Sequence, residues 1–279
     1  MQRALIGLFR WVPLRVMYGF TFVTIPVYLL NGKTRSASYS FFRKRMGYGR
    51  LRSAVHVFRN MYNMGKVVMD RFAVYAGRPF GMLSTDLNVY YRQAMQDGPL
   101  IMLSSHVGNY EMCGYMLPSP RPTKVLVYAG ETATIMQNRA RVFGDTQVQM
   151  IPVSEDLSHI FALNNALADG EIVSLPADRL FGSPKAVSVP LFGENADFPS
   201  GPFTLAVQRE VPVLVPFVMK VGVHLYKVIV KRLDLPAEGT RQEKVQALAG
   251  AYAQVLESVV REYPDQWYNF YDFWGHETL

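Results

Sequence analysis

His106 and Glu111 stand five positions apart in the run Ser104-Ser105-His106-Val107-Gly108-Asn109-Tyr110-Glu111. An imidazole steadied by a carboxylate is a general base that works near neutral pH. Such a base can take the proton from a hydroxyl or amine as that group attacks a carbonyl. The spacing alone is common in proteins; its setting singles it out. Residues 99–103, Pro-Leu-Ile-Met-Leu, follow Gly98 as a short apolar run and predict a buried strand. Residues 110–117 can open a helix. His106 therefore falls in a strand-to-helix turn that also holds Gly108 and Asn109. In an α/β protein, such a turn presents reactive groups at the carboxyl edge of the sheet.

Other chemistries find less support. Cys113 is the only cysteine, so neither a disulfide framework nor a cysteine zinc site can form within one chain. Two residues past Glu111 on an apolar segment, it reads as a small core residue in preference to a nucleophile. No Gly-x-Ser-x-Gly elbow is present, and Ser104-Ser105 lacks the strained glycine frame of one. His106, His159 and His224 are scattered and no His-Glu-x-x-His occurs. Neither a metal nor a cofactor is expected.

The surrounding elements read as an alternation. Residues 49–76 carry Leu51, Val55, Phe58, Tyr62 and Val67 at helical spacing, and residues 86–96 suit a second helix before the strand that leads to His106. Beyond the turn, residues 124–128, 148–153 and 171–175 read as strands, and residues 132–143 as a helix. Ser154 is expected to cap a helix with Leu157, Ile160, Phe161 and Leu167 on one face. Residues 211–221 and 224–233 predict a strand pair. Thr240-Arg241-Gln242-Glu243 is a capping box, and Pro264 ends the helix that it opens. This order predicts an α/β fold, a mixed central sheet with helices on both faces. No repeat or low-complexity linker divides the chain. The expected organisation is a membrane-associated segment at 1–35 and one catalytic domain at 36–279.

Charge is distributed unevenly. The chain is 49% hydrophobic and only 18% charged, with a net charge of +7. Residues 1–69 hold twelve Lys and Arg and no acid; Asp70 is the first. From there on, seventeen bases face twenty-two acids, so the positive charge belongs to the N-terminal quarter. A basic, apolar and aromatic segment suits an anionic membrane surface better than nucleic acid. Residues 16–32 are uncharged, Pro26 interrupts them, and bases flank both ends. Seventeen residues is the short limit for a spanning helix, so an embedded or re-entrant anchor is expected in preference to a clean span. No nucleic-acid partner is expected.

Four blocks now line up: HVGNYE at 106–111, Leu175-Pro176-Ala177-Asp178-Arg179, Val189-Pro190-Leu191-Phe192-Gly193-Glu194-Asn195-Ala196 leading to Ser200-Gly201-Pro202, and Tyr263-Pro264-Asp265-Gln266-Trp267-Tyr268. In this order they resemble the bacterial late lipid A acyltransferases and their lysophospholipid acyltransferase relatives, the His-x4-Asp/Glu acyltransferases. The resemblance covers roughly residues 1–274. It implies a glycerol-phosphate acyltransferase-like fold at the cytoplasmic side of a bacterial inner membrane. The implied activity moves an acyl chain from a carrier thioester to a hydroxyl or amine of a lipid acceptor. Acyl carrier protein is the expected donor, with acyl-CoA as the alternative. His106 would be the base and Glu111 its partner. Gly108 and Asn109 match the family turn, with Gly108 letting backbone approach the acyl group. Asp178 and Arg179 would bind the acceptor or steady the base. Arg139 is a candidate for the thioester oxyanion or a phosphate. Two departures stand out. Tyr110 replaces the common Trp, and the usual basic ending gives way to the aromatic tail 268–274. That tail would pack on the core or sit at a lipid interface, and it argues against an acceptor as heavily phosphorylated as lipid A. The competing readings are a lipid hydrolase that passes the acyl group to water and a non-catalytic membrane-binding module.

Overall fold

The computed structural model describes residues 7, 9–84, 86–94, 96–117, 119–127, 147–154, 156–180 and 185–275. Helix α1 (Leu14–Leu30) leads into α2 (Gly32–Ser40) and the long α3 (Arg50–Tyr75). Then follow β1 (Gly81–Ser84), α4 (Leu87–Ala94), β2 (Leu100–Ser104) and, after the turn holding His106, the short α5 (Cys113–Met116). The chain continues through β3 (Thr123–Val127), β4 (Val148–Pro152), α6 (Ser158–Ala168) and β5 (Ile172–Pro176). A hairpin of β6 (Ala186–Leu191) and β7 (Glu194–Pro199) precedes α7 (Ser200–Arg209). The chain closes with β8 (Val213–Lys220), β9 (Leu225–Leu233) and α8 (Arg241–Glu262).

The central sheet has seven strands in the order β1-β9-β8-β2-β5-β3-β4. Only β8–β9 is antiparallel. Helices cover both faces, so the inner strands are apolar on both sides; β2 and β5 are buried through their first four residues. Successive side chains alternate between the two cores. Ile101 and Leu103 join Val173, Val215 and Phe217 under α7, α8 and the hairpin. Leu100 and Met102 join Leu214, Val228 and Tyr90 under α4 and α5. The expected mixed sheet flanked by helices is the observed one.

The two long helices form where their periodicity predicts them, but of the apolar residues that mark α3, Leu51, Val55 and Phe58 are exposed and Val67 is buried. The capping box at Thr240 is formed in both directions, and α8 ends two residues before Pro264. The expectation at Ser154 needs correction. Leu157 occupies the cap position of α6, and its buried residues are Leu163, Ala166 and Leu167, while Ile160 and Phe161 are exposed. Ser154 instead bonds the side chains of Ser158 and His159. The helix expected at 132–143 lies outside the described residues.

Helix α1 buries Leu14, Met17, Tyr18, Thr21 and Ile25. The first three pack in a cluster with Phe9 and Ala73 of α3. Its other face is also apolar, and Val16, Phe20 and Val23 are more than half exposed. No helix among the described residues is long and apolar enough to cross a membrane. The aromatic tail takes the first of its two expected places: Tyr268 and Phe273 are buried, and Trp274 stacks on Phe41 with 6.3 Å between ring centres.

Candidate active site

Two adjacent parallel strands bring the central pair together. In the β2–β5 ladder Leu100 faces Ile172 and Ser104 faces Pro176. Extending that register two residues past the strand ends sets His106 opposite Asp178. Ala177 N–H still bonds Ser104 O at 3.0 Å, so the ladder holds up to the site. Both side chains emerge at the carboxyl ends of neighbouring strands, where open α/β sheets place their sites.

Asp178 receives His106 twice. One carboxylate oxygen lies 2.8 Å from the ring Nδ1, and the other accepts the His106 backbone N–H at 2.7 Å. Asp178 is 1% exposed. Burial alone would raise its carboxyl, but the charge and hydrogen bonds of His106, with Arg179 adjacent, hold it below the usual carboxylate range. An ionised carboxylate only accepts, so Nδ1 must donate, and the neutral ring then carries its lone pair on Nε2. The ring is about a quarter exposed, and Tyr110 stands edge-on to it with centroids 5.3 Å apart.

The hydrogen-bonded carboxylate is thus the one on the neighbouring strand, not the one five residues along the chain. Glu111 Oε2 lies 2.7 Å from Arg71 Nε of α3. The two form a largely buried ion pair that ties the turn to α3. The resemblance left Asp178 and Arg179 two roles, binding the acceptor or steadying the base, and the hydrogen bonds of Asp178 fit the second. The signal that could have decided between them is the equal offset of two apolar strands, each followed two residues later by a polar side chain.

Gly108 takes a left-handed conformation, φ +69°. A Cβ there would collide with the Val218 carbonyl and stand 2.9 Å from Met219 Sδ. The close approach that requires glycine is thus to the backbone of β8, where sequence reasoning had expected the acyl group. Asn109 N–H bonds Val218 O at 2.7 Å, and its buried side chain donates to the Tyr226 hydroxyl at 3.0 Å. Arg179 Nη2 donates to Tyr268 O at 2.7 Å, and its buried Nε has no hydrogen-bond partner among the described residues. Arg139 lies outside the described residues. Burial pushes the Cys113 thiol up to about 12, so it stays protonated near neutrality and is a poor nucleophile.

The last block, Pro264 to Tyr268, was read as a marker and proves to be a brace. Gly108 N–H bonds Gln266 O at 2.7 Å, Tyr268 N–H bonds His106 O at 3.1 Å, and Trp267 pairs with Val107 as an antiparallel bridge. The third block closes the β6–β7 hairpin. Phe192 and Gly193 both have positive φ there, as a two-residue turn demands. The Phe192 ring lies 6.2 Å from Trp267 and so backs the brace. Three blocks therefore meet at His106, and the fourth supports them from behind.

The sequence model describing the bacterial lipid A biosynthesis acyltransferases matches residues 84–275. The chain belongs to that family. The matched region spans β2 to β9 and the residues described around His106 apart from Arg71 of α3. No curated protein matches the chain. Family membership makes the chain an acyltransferase of lipid biosynthesis, with an acyl donor and a lipid acceptor as its substrates.

Proposed function

We propose that this acyltransferase moves a fatty acyl chain from an acyl thioester to a hydroxyl or amine of a lipid, with His106 as general base. The observation that carries the reading is the His106 ring anchored through Nδ1 on a buried, ionised carboxylate. Nε2 is then the nitrogen that takes the acceptor's proton as its oxygen or nitrogen attacks the thioester carbonyl. The tetrahedral oxyanion forms and collapses, the carbon–sulfur bond breaks, and the proton on Nε2 passes to the leaving thiolate. Asp178 acts through His106 by fixing the tautomer and stabilising the imidazolium. Arg179, with an unpartnered buried donor beside Asp178, is suited to the oxyanion or to a phosphate of either substrate. Glu111, paired with Arg71, adds negative charge near the turn and ties it to α3.

Membrane association at the cytoplasmic face of the inner membrane is part of the same reading. The outer face of α1 presents Val16, Phe20, Val23 and Leu30 to solvent, Trp11 is exposed just ahead of it, and α3 exposes Leu51, Val55 and Phe58. Arg10, Arg15, Lys33, Arg50 and Arg52 are exposed around this surface. An apolar stripe rimmed by bases lies in the plane of an anionic interface without crossing it.

The donor is proposed to be acyl carrier protein, an acidic partner suited to the same acid-free N-terminal quarter. The structure chooses which bases can test this. Arg43 bonds the Tyr48 carbonyl, and Arg45 pairs with Glu194 and lies over Trp274. Reversing either would disturb packing. Lys33, Lys44 and Arg50 are exposed. Reversing those three should raise KM for acyl carrier protein about tenfold at low salt, with kcat within about twofold, and added salt should erase the difference. KM for acyl-CoA of matched chain length should change less. Equal use of both donors, unmoved by charge reversal or salt, would refute the carrier reading.

A further inference from the structure

Asp70 ends the acid-free quarter of the sequence, and the proposed mechanism gives it no part. It is wholly buried in α3. One carboxylate oxygen accepts the Tyr18 hydroxyl of α1. The other accepts the Tyr226 hydroxyl of β9 and lies 2.5 Å from Lys220 Nζ at the end of β8. Lys220 is nearly as buried, donates also to Val223 O at 3.0 Å, and lies 4.8–5.6 Å from the ring centres of Tyr18, Phe80 and Tyr226. Burial pushes the Asp70 carboxyl up and the Lys220 ammonium down. Such a pair gives little net stability, because desolvating two charges offsets most of their attraction. Its geometry suggests a different use.

Tyr226 connects this cluster to the turn. Its hydroxyl spends its hydrogen on Asp70 and receives the Asn109 side-chain N–H at 3.0 Å. Lys220 approaches the same turn by a second route, its backbone N–H and C=O both bonded to the Gln266 side chain at 2.9 Å, and Gln266 O accepts Gly108 N–H. The Asp70 carboxyl group therefore orients a phenol, the phenol orients Asn109, and the brace fixes Gly108, all within three residues of His106.

We propose that Asp70 and Tyr226 are positioning residues that hold the 106–109 turn, and through it the His106 ring, in its reactive placement. This rests on the reading of His106 as the base. A misplacement of about 1 Å far from the chemistry can cost about a hundredfold in rate, so a single hydroxyl in this chain should be felt at the transition state.

The test compares two phenols that donate to the same carboxylate. Tyr226→Phe removes the link to Asn109, whereas Tyr18→Phe removes a hydroxyl that leads away from the turn. Both are read by melting temperature and by steady-state kinetics with acyl thioester and lipid acceptor, with His106→Ala as a control. Tyr226→Phe should lower kcat about 10–100-fold with KM for both substrates within about twofold, while Tyr18→Phe keeps kcat at a similar loss of melting temperature. Asn109→Ala should cost about as much as Tyr226→Phe, and the double variant no more than either, because both break one path. A purely structural role makes the two phenol variants alike, with kcat per folded molecule unchanged. That result, or costs that simply add in the double variant, would overturn the proposal. Retained activity in His106→Ala would instead remove the base reading on which it rests.

Discussion

His106→Ala should lose about 10²–10⁴ of acyl transfer, the contribution of a positioned general base, while keeping its melting temperature within a few degrees. At about 1.4 kcal/mol per tenfold, that loss corresponds to about 3–5.5 kcal/mol of transition-state stabilisation. The fold has little reason to fail with it. The ring is partly exposed, and the turn keeps its backbone bonds to Asp178, Tyr268, Gln266 and Val218. The check is a rate per folded molecule, with folding followed by circular dichroism. Near-normal turnover in a folded His106→Ala protein would remove the mechanism.

Asp178→Asn should be nearly as damaging, about 10²–10⁴ in kcat, although it changes no shape. The amide can turn its NH₂ toward Nδ1, which makes that nitrogen the acceptor and moves the ring proton to Nε2, where the base must be free. The sign of the pH response follows from the lowered carboxyl. A folded value below the unfolded one, which is near 4, means that the pair contributes fully above the unfolded value. The contribution fades only as pH falls through the folded value. Across about pH 5–9 Asp178 stays ionised, and any change of rate there belongs to another group. Glu111→Gln provides the contrast. Its carboxylate pairs with Arg71, and the substitution should cost less than about tenfold. If the order reversed, with Glu111→Gln the more harmful of the two, the ring's functional partner would be the near carboxylate after all.

The contrast between these two carboxylates also shows what a sequence can display of such a site. His106 was legible because its neighbours punctuate it: an apolar run ends at Leu103, and Gly108 and Asn109 make a turn. The α3 and α8 helices were legible for a similar reason, since periodicity and the Thr240 capping box are local. Asp178 could not be assigned locally. Its place opposite His106 depends on the parallel register of β2 and β5, fixed by core packing across seventy-two residues of chain. The Asp70 cluster was hidden more deeply. Tyr18, Asp70, Lys220 and Tyr226 share no spacing, and only the fold converts the end of an acid-free stretch into a buried junction. The face of α6 was misread because Leu157, Ile160 and Phe161 are apolar yet exposed, and the core takes Leu163 and Ala166 along with Leu167. The brace was visible as a motif but not as a function, because its bonds to Gly108 and His106 are backbone bonds that any residue type could make.

The measurement that bears most directly on the central claim is a product balance. Purified full-length protein in detergent or vesicles is given a labelled acyl thioester and a mixture of candidate lipid acceptors. Free thiol and lipid products are then counted by mass spectrometry. Acyl transfer through His106 requires one acylated lipid for each thiol released, and loss of both together in His106→Ala. Thiol release matched by free fatty acid would make the protein a hydrolase, and full production of acylated lipid without the His106 ring would contradict the account at its root.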